Sequence, residues 1–295
     1  MKAEYYDNRD YAIAKLQWKV PQIGKATRLD LYGEAGKVVR ECETVVAVMG
    51  INKSIEREGQ DRYDIQLPAD QREFLQEIYK VNPNIIVVLV AGSSLAVNWM
   101  DEHVPAIVNA WYPGEQGGTA VAEVLFGDYN PAGKLPVTFY RNVSQLPDFE
   151  DYNMTGRTYR YMQDVPLFPF GYGLSYTTFG YGKTVLDKNE LTAGQSLKLT
   201  VPVTNTGKRN GEEVVQVYLR KQGDAEGPIK TLRAFKRVSI PAGKTVNVEF
   251  DLKDKELEWW DDQSNTVRVC PGNYDIMVGG SSKEEDLQRT TIAIK

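Results

Sequence analysis

From residue 183 onward the apolar side chains recur with period two, and four separate stretches keep that beat. Leu197, Leu199, Val201 and Val203 alternate with Lys198, Thr200, Pro202 and Thr204; Val215, Val217 and Leu219 repeat the pattern. Val246, Val248, Phe250 and Leu252 follow, then Tyr274, Ile276 and Val278. Only a strand places every second side chain on one face, and the turn signals Asn205-Thr206-Gly207, Pro241-Ala242-Gly243 and Pro271-Gly272-Asn273 separate the runs. About seven short strands in roughly 100 residues predict a two-sheet β-sandwich over residues 183–295.

The preceding residues, 31–141, carry a different rhythm. Continuous apolar runs at 44–50, 85–90 and 106–111 alternate with helix-like stretches at 32–43, 67–79, 94–100 and 118–126. Short apolar runs between helices predict a mainly parallel sheet flanked by helices, an α/β domain spanning residues 25–182. Lys134-Leu135-Pro136-Val137-Thr138-Phe139-Tyr140 reads as a further strand, which its proline restricts to an edge. Residues 142–182 are rich in Tyr, Phe, Gly and Pro. They are too apolar for a flexible linker and are expected to pack across the domain junction. Residues 1–24 read as two strands and a linker at Pro21–Gly24, too little to stand alone. The 295-residue length suits about two domains.

Several function classes are disfavoured by composition. Net charge is −5 with no Lys/Arg block, so no nucleic-acid partner is expected. No apolar stretch approaches the roughly 20 residues of a membrane span, and the first residues do not form a signal peptide. The single histidine, His103, stands against a histidine-based metal site or a Ser-His-Asp triad; it reads as a surface or helix-end residue. No metal or cofactor is expected. Cys42 and Cys270 lie in different domains and read as free thiols. Of the adjacent Trp259 and Trp260, one reads as core and the other as a possible sugar-stacking surface. Asn52, Asn142 and Asn153 open glycosylation patterns.

The candidate chemistry lies just past the first apolar run, in Glu56-Arg57-Glu58-Gly59-Gln60-Asp61-Arg62. Sites in open α/β sheets gather beyond the carboxyl ends of strands, and surroundings there decide which carboxyl keeps its proton. The run therefore reads as half of an acid–base site, with Asp61 and Arg62 bracing the loop through a salt bridge. In Gly114-Glu115-Gln116-Gly117-Gly118 the glycines read as a tight turn, and Glu115 is a lesser candidate for contact with substrate.

The charged run, Trp111-Tyr112-Pro113-Gly114-Glu115-Gln116-Gly117-Gly118, Gly127-Asp128-Tyr129-Asn130-Pro131-Ala132-Gly133-Lys134-Leu135-Pro136 and Phe170-Gly171-Tyr172-Gly173-Leu174-Ser175-Tyr176-Thr177-Thr178-Phe179 resemble, in order, the motifs of family 3 glycoside hydrolases. The trailing sandwich resembles that family's fibronectin-III-like domain. Glu4-Tyr5-Tyr6-Asp7-Asn8 and Leu16-Gln17-Trp18 resemble the closing strands of a PA14 domain. The resemblance implies a retaining exo-β-glycosidase of periplasmic or extracellular address, acting on oligosaccharides or aryl β-glycosides. Its nucleophile would be an aspartate on a barrel domain, and its acid/base a glutamate four residues before this arginine. That glutamate is Glu58, with Glu56 the alternate. The chain contains no eight-fold strand–helix repeat, so the partner implied is a barrel on absent polypeptide, and the chain alone is expected to be inactive. The rival reading is a carbohydrate-binding or scaffold module.

Overall fold

The computed structural model describes the backbone of Lys2–Asn8, Tyr11–Gln17 and residues 28–295, with side chains at residue 33 and from 35 onward. Strands β1 (Lys2–Asn8) and β2 (Tyr11–Gln17) pair antiparallel. The linker expected at Pro21–Gly24, like Trp18, lies outside the described residues.

Helix α1 (Arg28–Glu41) leads into the α/β domain: β3 (Val45–Gly50), α2 (Ala69–Tyr79), β4 (Ile85–Val90), α3 (Asn98–His103), β5 (Ala106–Asn109) and α4 (Gly117–Phe126). The three strands form a parallel sheet in the order β3-β4-β5, with Ala47 beside Val87 and Val87 beside Ile107. Central β4 is an unbroken run of β-branched residues and leucine because both of its faces are covered: Ile85, Val87, Val88 and Leu89 are all buried. One face of the sheet meets Leu75 and Ile78 of α2 and Val39 of α1, forming a core that extends to Phe139 and Leu167. On the other face Val46 and Val48 are exposed, as is Phe126 at the end of α4.

Two expectations need correction. The helix predicted over 94–100 begins only at Asn98. The strand predicted over 134–140 does not form, because Pro136 has no N–H to give a ladder. That segment is instead held by separate bonds: Leu135 N–H to Tyr172 O (2.8 Å), Gly171 N–H to Leu135 O (2.8 Å) and Phe139 N–H to Phe168 O (2.9 Å).

The sandwich follows, entered through the one-turn α5 (Thr158–Tyr161) and β6 (Phe179–Tyr181). Strands β7 (Val185–Leu186), β8 (Glu190–Leu191), β9 (Leu197–Asn205), β10 (Gly211–Lys221), β11 (Thr231–Ile240), β12 (Thr245–Leu252), β13 (Trp259–Asp261), β14 (Thr266–Arg268), β15 (Gly272–Gly279) and β16 (Gln288–Ile294) complete it. One sheet runs β11-β10-β15-β16-β8 and the other β12-β9-β6, with β7 also on β9. The alternating residues of β9, β10, β12 and β15 interdigitate between them as one core. Trp259 is buried and Trp260 half exposed, and Cys270 is a buried free thiol.

The outer face of β10 carries the junction. Gln216 donates from Nε2 to Gly171 O (3.1 Å) and accepts at Oε1 from the Tyr218 hydroxyl (2.5 Å). Gly171 has φ 78°, and a Cβ there would lie 2.0 Å from Gln216 Oε1, so both backbone and space require glycine. Phe170 stacks on Tyr159, which meets Tyr218 edge-on. Beside them Lys134 pairs with the buried Glu213 at 3.2 Å, and Tyr181 donates to the same carboxylate at 3.0 Å. Burial pushes the Glu213 carboxyl above its ordinary range, with Lys134 the main opposing influence. The aromatic-rich segment thus packs across the junction as expected.

Candidate active site

Strand β3 ends at Gly50, where φ is 156° and a Cβ would sit 1.8 Å from Val90 O; only glycine lets the chain leave the sheet here. The Gln71 amide from α2 closes this point with two bonds, accepting from Gly50 N–H (2.8 Å) and donating to Gly50 O (2.7 Å). The charged loop therefore starts from an anchored end.

Inside the loop, Asn52 Oδ1 accepts from Ser54 N–H (2.8 Å), and the Gln60 amide donates to Ser54 O (3.2 Å). Arg57 and Gln60 form an isolated antiparallel bridge, Gln60 N–H reaching Arg57 O at 2.9 Å. Glu58 and Gly59 occupy the corner between them, and Gly59 takes φ 72° as a tight turn of this kind requires. Glu58 consequently stands at the tip of a reverse turn, exposed. Among the described residues it has no hydrogen-bond or ion-pair partner.

Glu56 has a different situation. Its Oε2 pairs with Arg62 Nε at 3.0 Å, both side chains being largely buried, and accepts from Ser93 Oγ at 2.6 Å. Arg62 also donates to Ser93 Oγ (2.8 Å) and Ser94 O (3.2 Å). This corrects the expected brace: Arg62 is paired with Glu56, and Asp61 is exposed with no ion-pair partner among the described residues. Asp61 and Arg62 are sequence neighbours in an extended stretch, so their side chains diverge, whereas the turn at Glu58 folds Glu56 back onto Arg62.

Glu56, Glu58, Asp61 and Arg62 line one open hollow of about 850 Å³, which Ser93, Tyr112 and Phe149 complete. The hollow lies beyond the carboxyl ends of β3 and β4. Tyr112 lies against Gly92, where a Cβ would come within 2.5 Å of its ring, and its hydroxyl donates to Ile51 O at 3.3 Å. Glu115 is exposed in the β5–α4 loop and is not part of this lining; the turn around it is closed by Gly117 N–H to Gly114 O (3.0 Å). His103 ends α3, with Nδ1 2.8 Å from Trp99 O. Among the described residues no cluster of His, Cys, Asp and Glu has the makings of a metal site.

Three lining residues were not singled out from sequence. Ser93 and Gly92 directly follow the apolar run of β4, and the strand-end rule that drew attention to residues 56–62 applies equally to them. Phe149 sits in an aperiodic segment, and nothing in its sequence surroundings points to the hollow.

Comparison with known proteins gives a uniform result. The model of the glycosyl hydrolase family 3 C-terminal domain matches residues 10–176, and that of a fibronectin type III-like domain matches residues 213–282. The chain is 48% identical to a xylan 1,4-β-xylosidase of Xylanibacter ruminicola, over 85% of this chain and 31% of the relative. It is 40% identical to a β-xylosidase of Formosa agariphila, over 90% of this chain and 37% of the relative. The chain thus spans about a third of the length of these curated relatives. Among solved structures, a β-glucosidase of Erythrobacter marinus superposes with TM-score 0.80 at 38% identity, covering 90% of this chain and 36% of that one. A β-glucosidase of Bifidobacterium adolescentis gives TM-score 0.81 at 30% identity, covering 92% and 42%.

Proposed function

Because the chain belongs to glycosyl hydrolase family 3, of which it carries the C-terminal domain, we propose that it is the acid/base-bearing part of a retaining exo-β-glycosidase in which Glu58 is the proton donor. The observation that carries this is the division of labour between two carboxylates at one hollow. Glu56 is occupied by Arg62 and Ser93, while Glu58 stands at the turn corner, exposed. A group that must give up a proton and later take one back has to be unencumbered and reachable. Retaining hydrolysis places two carboxyl groups about 5–5.5 Å apart. In the proposed reaction the C1–O bond breaks with its electron pair going to the glycosidic oxygen, which takes the Glu58 proton. A carboxylate from a further domain of the same polypeptide, a barrel by family resemblance, bonds to C1. Water then attacks C1 as Glu58 removes its proton, the carboxylate leaves, and the starting state returns.

The names of the relatives support a β-xyloside or β-glucoside as substrate. A Salmonella typhimurium relative is named a periplasmic β-glucosidase, which supports a periplasmic or extracellular address. The antiparallel pair β1–β2 supports reading the first residues as the end of a PA14-like domain.

The test is Glu58→Gln in the full-length polypeptide that carries this chain. Its kcat/KM on a β-linked disaccharide should fall by about 10²–10⁴-fold, the usual share of a general acid. Activity on a dinitrophenyl β-glycoside, whose leaving group needs no proton, should fall far less, and added azide should restore part of it. Equal losses on both substrates, or unaltered turnover of the disaccharide, would overturn the assignment.

A further inference from the structure

Phe149 brings an apolar ring to the Glu58 hollow from 91 residues further along the chain, and its side chain is 82% exposed. A phenyl ring has no polar edge to satisfy in water, so a ring presented this openly at a site is a contact surface without its partner. The segment that presents it is braced. Arg157 Nε donates to Asn153 O (3.0 Å), and the guanidinium also reaches Asp148 O (3.3 Å) and Asp151 O. Asp148 caps the turn from inside, accepting from Glu150 N–H at 3.1 Å.

A second ring reaches the same hollow from the end of β5. Trp111 takes φ 54°, a left-handed conformation costly for a bulky residue, while its indole stays edge-on against Phe139 at 6.1 Å in the core. Strain of that kind persists only where the surroundings enforce it, and it collects at functional sites. Here the reversal seats Tyr112, the next residue, against Gly92 in the lining of the hollow, half exposed. The fixed polar groups nearby are already engaged: Glu56, Arg62 and Ser93 bond one another and Gln60 bonds Ser54 O. A pocket that selects a terminal sugar by its hydroxyls needs unspent donors and acceptors. Two open rings beside a proton donor suit the other partner, the departing group, whose pyranose C–H faces or aryl ring lie flat on aromatic surfaces.

We propose that Phe149 and Tyr112 form the stacking surface for the leaving group, a sugar or aryl ring, held beside Glu58. This rests on the assignment of Glu58 as proton donor. The test compares substrates sharing a terminal sugar but differing in the departing group, in the full-length polypeptide: cellobiose against β-glucosyl fluoride, or xylobiose against β-xylosyl fluoride. In Phe149→Ala the ratio of kcat/KM for disaccharide over fluoride should fall about tenfold, the size expected when one aromatic contact is lost at a partly wet site. Phe149→Trp should return the ratio to near wild type. Phe235→Ala, which removes an exposed ring from the sandwich, should leave it unchanged. An unaltered ratio in Phe149→Ala, or an equal shift in Phe235→Ala, overturns the stacking surface. If Glu58→Gln keeps wild-type turnover, the proton-donor assignment fails instead, whatever Phe149 does.

Discussion

Replacing Lys134 by methionine removes the cation from the domain junction while keeping a side chain of similar length. Nζ lies 3.2 Å from Glu213 Oε1, with side-chain exposures of 15% and 6%. At an effective dielectric of about 20, that separation corresponds to about 5 kcal/mol of attraction. Two features soften the loss. Tyr181 still donates to the carboxylate at 3.0 Å, and both residues line a cavity of about 540 Å³ through which water can reach the site. The expected destabilisation at neutral pH is therefore about 3 kcal/mol, the lower end for a buried pair broken on one side. With about 2–4 °C of Tm per kcal/mol for a unit of this size, calorimetry should record a drop of about 6–12 °C. The effect should depend on pH with a definite sign. Burial raises the Glu213 carboxyl from its ordinary 4.5, and losing Lys134 raises it further. The folded state then binds this proton more tightly than the unfolded chain, so stability falls as pH climbs from about 4.5 through the raised value and levels off above it. The deficit of Lys134→Met should accordingly be full at pH 7.5 and shrink toward pH 4.5, where Glu213 is neutral in both states. Adding Glu213→Gln should recover much of it at pH 7.5. A Tm unchanged at pH 7.5, or a deficit equal at both pH values, would refute the reasoning.

The active-site loop yields further expectations, beyond the Glu58 and Phe149 variants described above. Gln71→Ala strips both bonds from Gly50 and should cost about 2 kcal/mol in all, since partly buried polar groups lose their partners. Hydrogen exchange should speed up through residues 51–62 in that variant; unaltered exchange there would mean that Gln71 does not anchor the loop. Gly92→Ala puts a Cβ 2.5 Å from the Tyr112 ring. Overpacking of this sort typically costs about 1–3 kcal/mol, and a crystal structure of the variant should show the ring displaced and its bond to Ile51 O lost. Accommodation without ring movement would refute the close approach.

Much of the architecture is legible in residue order, for identifiable reasons. β4 lies over the expected 85–90, because a strand covered on both faces must be apolar throughout. The sandwich strands show because one face is wet and one dry, which writes period two into the chain. The packing of residues 142–182 across the junction follows from aromatic content alone. The failed strand over 134–140 shows the limit of such patterns. Val137 and Phe139 alternate correctly, but Pro136 removes a donor, and the neighbours on offer were isolated carbonyls at Phe168 and Tyr172.

The site divides along the same line. A charged run after a buried strand announces that chemistry can be placed there, and this much is local. Which member of the run works is not local. Ser93 comes from the end of the neighbouring strand and Arg62 from the far side of the turn, and together they take up Glu56. Adjacency in sequence suggested Asp61 as the partner of Arg62, but neighbouring residues in extended chain face opposite ways, and the reverse turn at Gly59 supplies Glu56 instead. The carboxylate left for catalysis is therefore the one that the long-range contacts pass over. Glu58 is identified by what the rest of the fold does to its neighbours, and any variant that frees Glu56 from Arg62 and Ser93 should blur the distinction between the two.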